Sequence, residues 1–181
     1  MKNRNSFVFF GLIGVCLSLV ACSPSDPLKN KVRAESQTDF ELWKGDASDE
    51  LSPNQWRDFN EAIQELKVTI EVNHEASGGS GVDETLFGKI NGTTVGSVIR
   101  SGLEQELQRI ANERDQVKEH IRENADFHTL PGDKASADRL AYLRGQQADQ
   151  LQSLNSDYDR VLAAIRTYEG PAWAPPSHPG K

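Results

Sequence analysis

VGSVIRSGLEQELQRIANERDQVKEHIREN, Val95 to Asn124, decides the fold. Leu103, Leu107, Ile110, Val117 and Ile121 fall in one helical register, so the stretch reads as a single long amphipathic helix. Leu130-Pro131-Gly132-Asp133 ends that pattern, because proline and glycine cannot carry it on. Asp133 is a good N-cap for a second long helix, which bears Leu140, Leu151, Leu154, Tyr158, Val161, Ile165 and Tyr168 at heptad multiples. Two long helices joined by so short a turn must run antiparallel, and a stripe period near 3.5 predicts left-handed coiled packing. Setting Ile121 against Leu140 puts Ile110 by Leu151, Leu107 by Leu154 and Leu103 by Tyr158. That register also sets Arg114 opposite Gln147, with Arg144 a turn away, as one polar layer in the seam; the alternative is that these side chains lean out to water.

Upstream, Ser52-Pro53 marks a helix start, since serine accepts a free backbone N–H and proline suits the first turn. Trp56, Phe59, Ile63, Leu66 and Ile70 then form one stripe on a helix reaching to about His74. Ser36, three before Asp39, with Phe40 and Trp43 on one face, predicts a short capped helix. Ser77 to Gly81, SGGSG, reads as a linker. Leu86, Phe87 and Ile90 precede the turn signal Asn91-Gly92, and Thr93 or Thr94 caps the long helix. The expectation is an all-α domain over residues 36–169: an antiparallel long-helix hairpin with one or two shorter N-terminal helices packed on it, three-helix-bundle-like. Residues 22–35 are read as a flexible tether and residues 170–181 as a proline-rich tail after Gly170-Pro171.

The first 21 residues have a different character. Lys2 and Arg4 open the chain, and no charge follows from Phe7 to Val20, which is a signal-peptide layout too short for the ~20 residues of a spanning helix. The stretch ends at Leu19-Val20-Ala21-Cys22, which resembles a bacterial lipobox. That resemblance implies a diacylglyceryl group on the Cys22 thiol and cleavage before it. Two or more acyl chains anchor stably where one does not. By the same resemblance, Ser23 rather than aspartate after the cysteine points to the outer membrane, on its periplasmic face. Cys16 leaves with the signal and Cys22 is consumed by lipid, so no thiol remains and the domain is held by its core. Loss of Lys2 and Arg4 takes the formal charge from −7 to −9, a balance that argues against coating nucleic acid or an anionic lipid surface.

LSPNQWRDFNEAIQEL, read as LSPxxxxxFxxAIxxL, together with the lipobox cysteine and INGTTVGSVI as a Leu-x-Gly-Lys-Thr-like segment, resembles a family of small uncharacterised helical bacterial lipoproteins over roughly residues 12–110. In this chain Thr93 stands where lysine is usual, and Gly96-Ser97 replace better helix formers. The resemblance implies the anchor and the helices and brings no activity.

A search for chemistry finds little. His74, His120, His128 and His178 lack i+4 partners, so neither a metal site nor a cofactor is expected. The glycine-rich segments lack the spacing of a nucleophile elbow or a phosphate loop. Pairs such as Glu104 with Glu106 and Asp157 with Asp159 point apart on a helix and read as a solvated face. The expected function is a lipid-anchored, non-catalytic envelope module that is structural or binds a protein. Exposed apolar residues clustered on one helix face would favour a partner, and a polar-lined cavity an unrecognised enzyme. Trp173 is the candidate partner-binding residue, unless it folds back on the bundle. A helical lipoprotein that ends in lysine is also similar to Braun-type lipoproteins, which makes Lys181 a candidate for attachment to peptidoglycan. That alternative assumes three long helices that leave the lipid end, return, and lead away again.

Overall fold

The N-caps read from the sequence organise the chain. In the structure, a computed structural model that describes residues 26–75 and 81–168, Ser36 Oγ accepts the Asp39 N–H at 3.1 Å and starts α1, Gln37–Glu50. Ser52 and Gln55 form a reciprocal capping box at the head of α2, Pro53–Val72. Thr94 Oγ1 accepts the Ser97 N–H at 3.2 Å to open α4, Val95–Glu123, and Asp133 Oδ1 accepts the Ser136 N–H at 3.1 Å to open α5, Lys134–Thr167. Each such cap contributes about 1 kcal/mol. Between α2 and α4 lies α3, Val82–Ile90, which has no side-chain cap; its Leu86, Phe87 and Ile90 are buried. Among the described residues, a 3-10 turn, Pro27–Lys29, comes before α1. The fold is all-α, and α4 sits in the middle with α2 and α5 packed against it.

The short α3 sets the direction of everything after it. It carries the chain back beside α2, so α4 rises parallel to α2: Ala62 lies against Gly102, and Glu65 pairs with Arg109 at 2.9 Å. The approach at Gly102 is close. A Cβ there would lie 2.4 Å from Ala62 Cα, so only glycine lets these helices meet. Aromatic rings tie α1 to α3 and to α2. Phe40 meets Phe87 at 5.3 Å between centroids, and Trp43 meets Phe59 at 5.4 Å, within the range where ring pairs attract beyond their area burial.

Three expectations are corrected. Residues 26–35 are not a flexible tether. Val32 and Ala34 are buried, and the extended backbone there bonds to the α3–α4 turn, with Val32 N–H donating to Thr93 O at 2.8 Å, Gly92 N–H to Val32 O at 2.9 Å and Val95 N–H to Asn30 O at 2.9 Å. Asn91 Oδ1 adds a bond from the Ala34 N–H at 2.9 Å. Two inward side chains in alternation are enough to dock an extended segment, although its overall composition is polar. Gly96 fits the same account: a Cβ there would meet Leu28 O at 3.3 Å, so a larger helix former would press on the segment.

Second, the hairpin seam is shifted by roughly one heptad from the expected register. Glu106 meets Arg160 at 2.9 Å, where the expected register sets it opposite Asn155. Arg144 donates to the carbonyls of Asn124, Ala125 and Phe127 at 3.1–3.2 Å, closing the C-terminus of α4, where Asn124 was to face Ala137. A heptad pattern is blind to a slip of seven, because the stripes stay in phase. The shift brings the fully buried Val161 and Ile165 to the height of Leu107 and Leu103. The proposed polar layer dissolves with it. Arg114 lies over the Tyr158 ring, 4.4 Å from guanidinium carbon to centroid, with its Nε buried and without a hydrogen-bond acceptor.

Third, the long helices do not leave, return and lead away. With α3 inserted, α2 and α4 both rise and α5 descends, so α5 ends beside the start of α2, where the Tyr168 hydroxyl donates to Asp58 at 2.5 Å. The tail therefore begins at the end of the molecule where α4 starts. Among the described residues no helix is long and apolar enough to cross a membrane.

Candidate functional site

Cys22, Trp173 and Lys181 all lie outside the described residues. The structure does describe where the chain departs toward each of them. Asp26, four residues after Cys22, caps the Pro27–Lys29 turn, and Leu28 of that turn rests on Gly96 at the head of α4. Tyr168, which precedes the tail, is bonded to Asp58 in the second turn of α2. Both departures are at one end, the base.

The base holds a cleft of about 320 Å³ between the Asp26–Ala34 segment and the C-terminal half of α1. Trp43, Ala47, Leu51 and Val95 line its apolar part, and Lys31, Arg33, Asp46 and Glu50 its polar part. The polar groups are largely paired: Arg33 lies 3.6 Å from Asp46, and the Asn30 amide donates to Glu50 at 2.6 Å. A nucleophile with an adjacent base is not among these side chains. Burial, reinforced by Asp58, raises the Tyr168 phenol well above its usual range, so it stays a hydrogen-bond donor at any ordinary pH. The hydrogen bond to Glu65 likewise raises the already strongly basic Arg109.

Three of the four carboxylates singled out in the sequence have a cation beside them. Glu104 pairs with Arg100, and Glu106 and Asp157 both lie near Arg160. His74, His120 and His128 are exposed, and no group of three or more possible metal ligands occurs among the described residues.

The opposite end is more informative. Beyond about Val117 the α4–α5 hairpin runs on as a two-helix arm, and from Lys134 to Gln150 every residue of α5 is exposed except the half-buried Leu140 and Gln147. Phe127 (61 % exposed), Leu130 (78 %), Tyr142 (65 %) and Leu143 (47 %) are four of the seven large apolar side chains left in the open among the described residues. Arg144 holds the Phe127 carbonyl, so the tip loop is closed onto α5 beside Leu143. A cleft of about 280 Å³ opens there, lined by Asn124, Leu140, Leu143, Arg144, Gln146 and Gln150 among others. These are exposed apolar side chains on a projecting element. No family model, curated protein or solved structure matches this chain.

The arm surface was missed in the sequence because Tyr142 and Leu143 fall off the stripe that faces α4, while Phe127 and Leu130 sit in the breaker segment. Apolar residues out of register with a neighbouring stripe are the signal that could have found it.

Proposed function

We propose that this chain is a bacterial lipoprotein, anchored through an acylated Cys22 in the periplasmic leaflet of the outer membrane, and that it acts without catalysis by presenting the α4–α5 arm to another protein surface. The observation that carries this reading is the placement of the two ends. Only three residues separate Cys22 from the ordered Asp26, a span of at most ~14 Å from Cys22 to Asp26. That holds the base close to any membrane that takes the lipid. The arm leaves in the other direction, since α4 runs for ~43 Å from the base. Its exposed apolar side chains, Phe127, Leu130, Tyr142 and Leu143, support binding as its role.

Cys22→Ala is expected to leave an unprocessed precursor or a protein that no longer floats with membranes. Normal processing and full membrane retention of that variant would end the anchor reading. Partners captured from intact envelopes by the acylated protein, and lost on Leu143→Glu, would support the arm as the presented surface.

A further inference from the structure

Asn91 and Gly92 make the bend between α3 and α4, and this pair carries a reactivity of its own. A backbone nitrogen can attack the carboxamide carbon of an asparagine just before it, and glycine hinders that approach least because it has no Cβ. Here the two residues form the corners of a type II turn. Asn91 lies at φ −58° and ψ 128°, Gly92 at φ 75°, and the Thr93 N–H donates to Ile90 O at 3.0 Å. Closing a five-membered ring needs the Gly92 nitrogen on the same side of the Asn91 Cα–C bond as Cβ, which means a negative ψ at Asn91. The turn holds the opposite sign, so it must rotate before it can react.

Both reacting groups are tied to one segment. The Gly92 N–H donates to Val32 O at 2.9 Å, and Asn91 Oδ1 accepts the Ala34 N–H at 2.9 Å. Rotation about the Asn91 Cα–C bond breaks the first bond, and swinging the carboxamide toward Gly92 breaks the second. Docking of residues 26–35 and reaction at Asn91 therefore exclude each other. The segment is also lightly held. Val32 and Ala34 are its only buried side chains, and the Arg33 to Asp46 contact is solvent-exposed on both sides. Segments with so few buried apolar contacts open ahead of global unfolding.

We propose that Asn91 is a modification site gated by residues 26–35: when that segment lifts off the α3–α4 turn, the Gly92 nitrogen attacks the Asn91 carboxamide. The bond from Gly92 N to Asn91 Cγ forms, the Cγ–Nδ2 bond breaks, and ammonia leaves with the proton that the Gly92 nitrogen gives up. Water then opens the succinimide at either carbonyl, leaving an aspartyl residue or an isoaspartyl residue whose backbone runs through Cβ. The isoaspartyl form has one more carbon in the main chain and its carboxylate on Cα, so the turn no longer offers both bonds to Val32 and Ala34. The segment then stays released. If Cys22 carries the lipid, the tether lengthens by the ten residues 26–35, up to ~35 Å, and this last step alone rests on the anchor reading.

The test incubates the full chain in mildly alkaline buffer and reads Asn91 conversion by peptide mapping, beside a synthetic peptide of residues 87–97. Wild type is expected to react about tenfold or more slowly than the peptide, because only the open fraction reacts. Val32→Asp, which puts a charge at a site 1 % exposed, should approach the peptide rate with unchanged helical circular dichroism. Ala34→Pro, which removes the N–H donor to Asn91, should also speed conversion and serves if Val32→Asp does not fold. In the wild type, the Gly92 amide should exchange more slowly than in the peptide yet faster than the Leu107 amide inside α4. The isoaspartyl fraction should be cut by trypsin after Lys31 and Arg33 sooner than fresh protein. Wild type reacting at the peptide rate, folded variants as slow as wild type, or Gly92 exchange as slow as that of Leu107 overturns the gate. Equal cutting of isoaspartyl and fresh protein overturns the lasting release.

Discussion

Phe59 and Phe127 show what separates the body of this molecule from its arm. Phe59 is fully buried where α1, α2 and α4 converge, against the ring of Trp43; Phe127 stands in the open at the hairpin tip. The same contrast runs along α5 itself. Its C-terminal half buries Leu154, Val161 and Ile165 on α4, whereas its N-terminal half, paired with α4 alone, has no fully buried residue. One helix is thus part core and part extension.

The largest expected effect is in the body. Phe59→Ala should cost about 3–5 kcal/mol, as measured by urea unfolding, and Ile165→Ala about 2–5 kcal/mol. Phe127→Ala should stay within about 0.5 kcal/mol under conditions where the chain is monomeric, because an exposed ring loses nothing on truncation. Equal costs for the two phenylalanines would erase the distinction between body and arm.

Next comes the α2–α4 contact. Gly102→Ala should destabilise by about 3 kcal/mol, the upper end of ordinary overpacking, although alanine is the better helix former by about 1 kcal/mol. Gly145→Ala, in the arm with nothing within 4 Å of its added Cβ, should instead stabilise slightly. A neutral Gly102→Ala would mean that α2 and α4 do not approach as closely as Ala62 and Gly102 indicate.

The smallest effect concerns the base. Tyr168→Phe should cost about 1 kcal/mol at neutral pH, for one hydrogen bond to a carboxylate that Arg57 also holds. The sign of its pH dependence follows from the raised folded-state pKa. The contribution is fully present below the unfolded value of about 10 and is lost as pH rises above it toward the folded value. Unfolding curves of the wild type should therefore fall faster than those of Tyr168→Phe above pH ~10. Parallel profiles would show that this phenol is not held by Asp58 in solution.

Much of this architecture was legible from side-chain chemistry at single positions. Ser36, Ser52 and Asp133 mark helix starts because capping is local, and each reads correctly without knowledge of the fold; for α4 the reading left Thr93 and Thr94 open, and the structure uses Thr94. What failed was long-range. The hairpin register slipped because seven-residue periodicity does not count heptads, and Arg144 on the α4 carbonyls is visible only once the two helices are side by side. The ordered Asp26–Glu35 segment was hidden because its inward residues are only Val32 and Ala34, too few to outweigh lysine, arginine and asparagine in a composition. The direction of α5 followed from α3, a nine-residue helix whose Leu86, Phe87 and Ile90 were seen only as a prelude to a turn. The site fared worst for the same reason. Trp173 drew attention as an aromatic in a polar tail, while Tyr142 and Leu143 are ordinary residues made conspicuous only by the absence of anything packed on them.

The central claim is a base held at the membrane with an arm that projects from it, and the most direct test measures both heights on one protein. If Cys16 leaves with the signal and Cys22 is acylated, as proposed, no other thiol remains, and Ser101→Cys near the base and His128→Cys at the tip can each carry a single fluorophore, read by energy transfer to acceptor headgroups in vesicles holding the acylated protein. The 22 helical steps from Ser101 to Glu123 predict a tip at least ~33 Å farther from the surface, with efficient transfer at Ser101 and weak transfer at His128. Equal transfer from the two positions would lay the arm along the membrane and contradict the account.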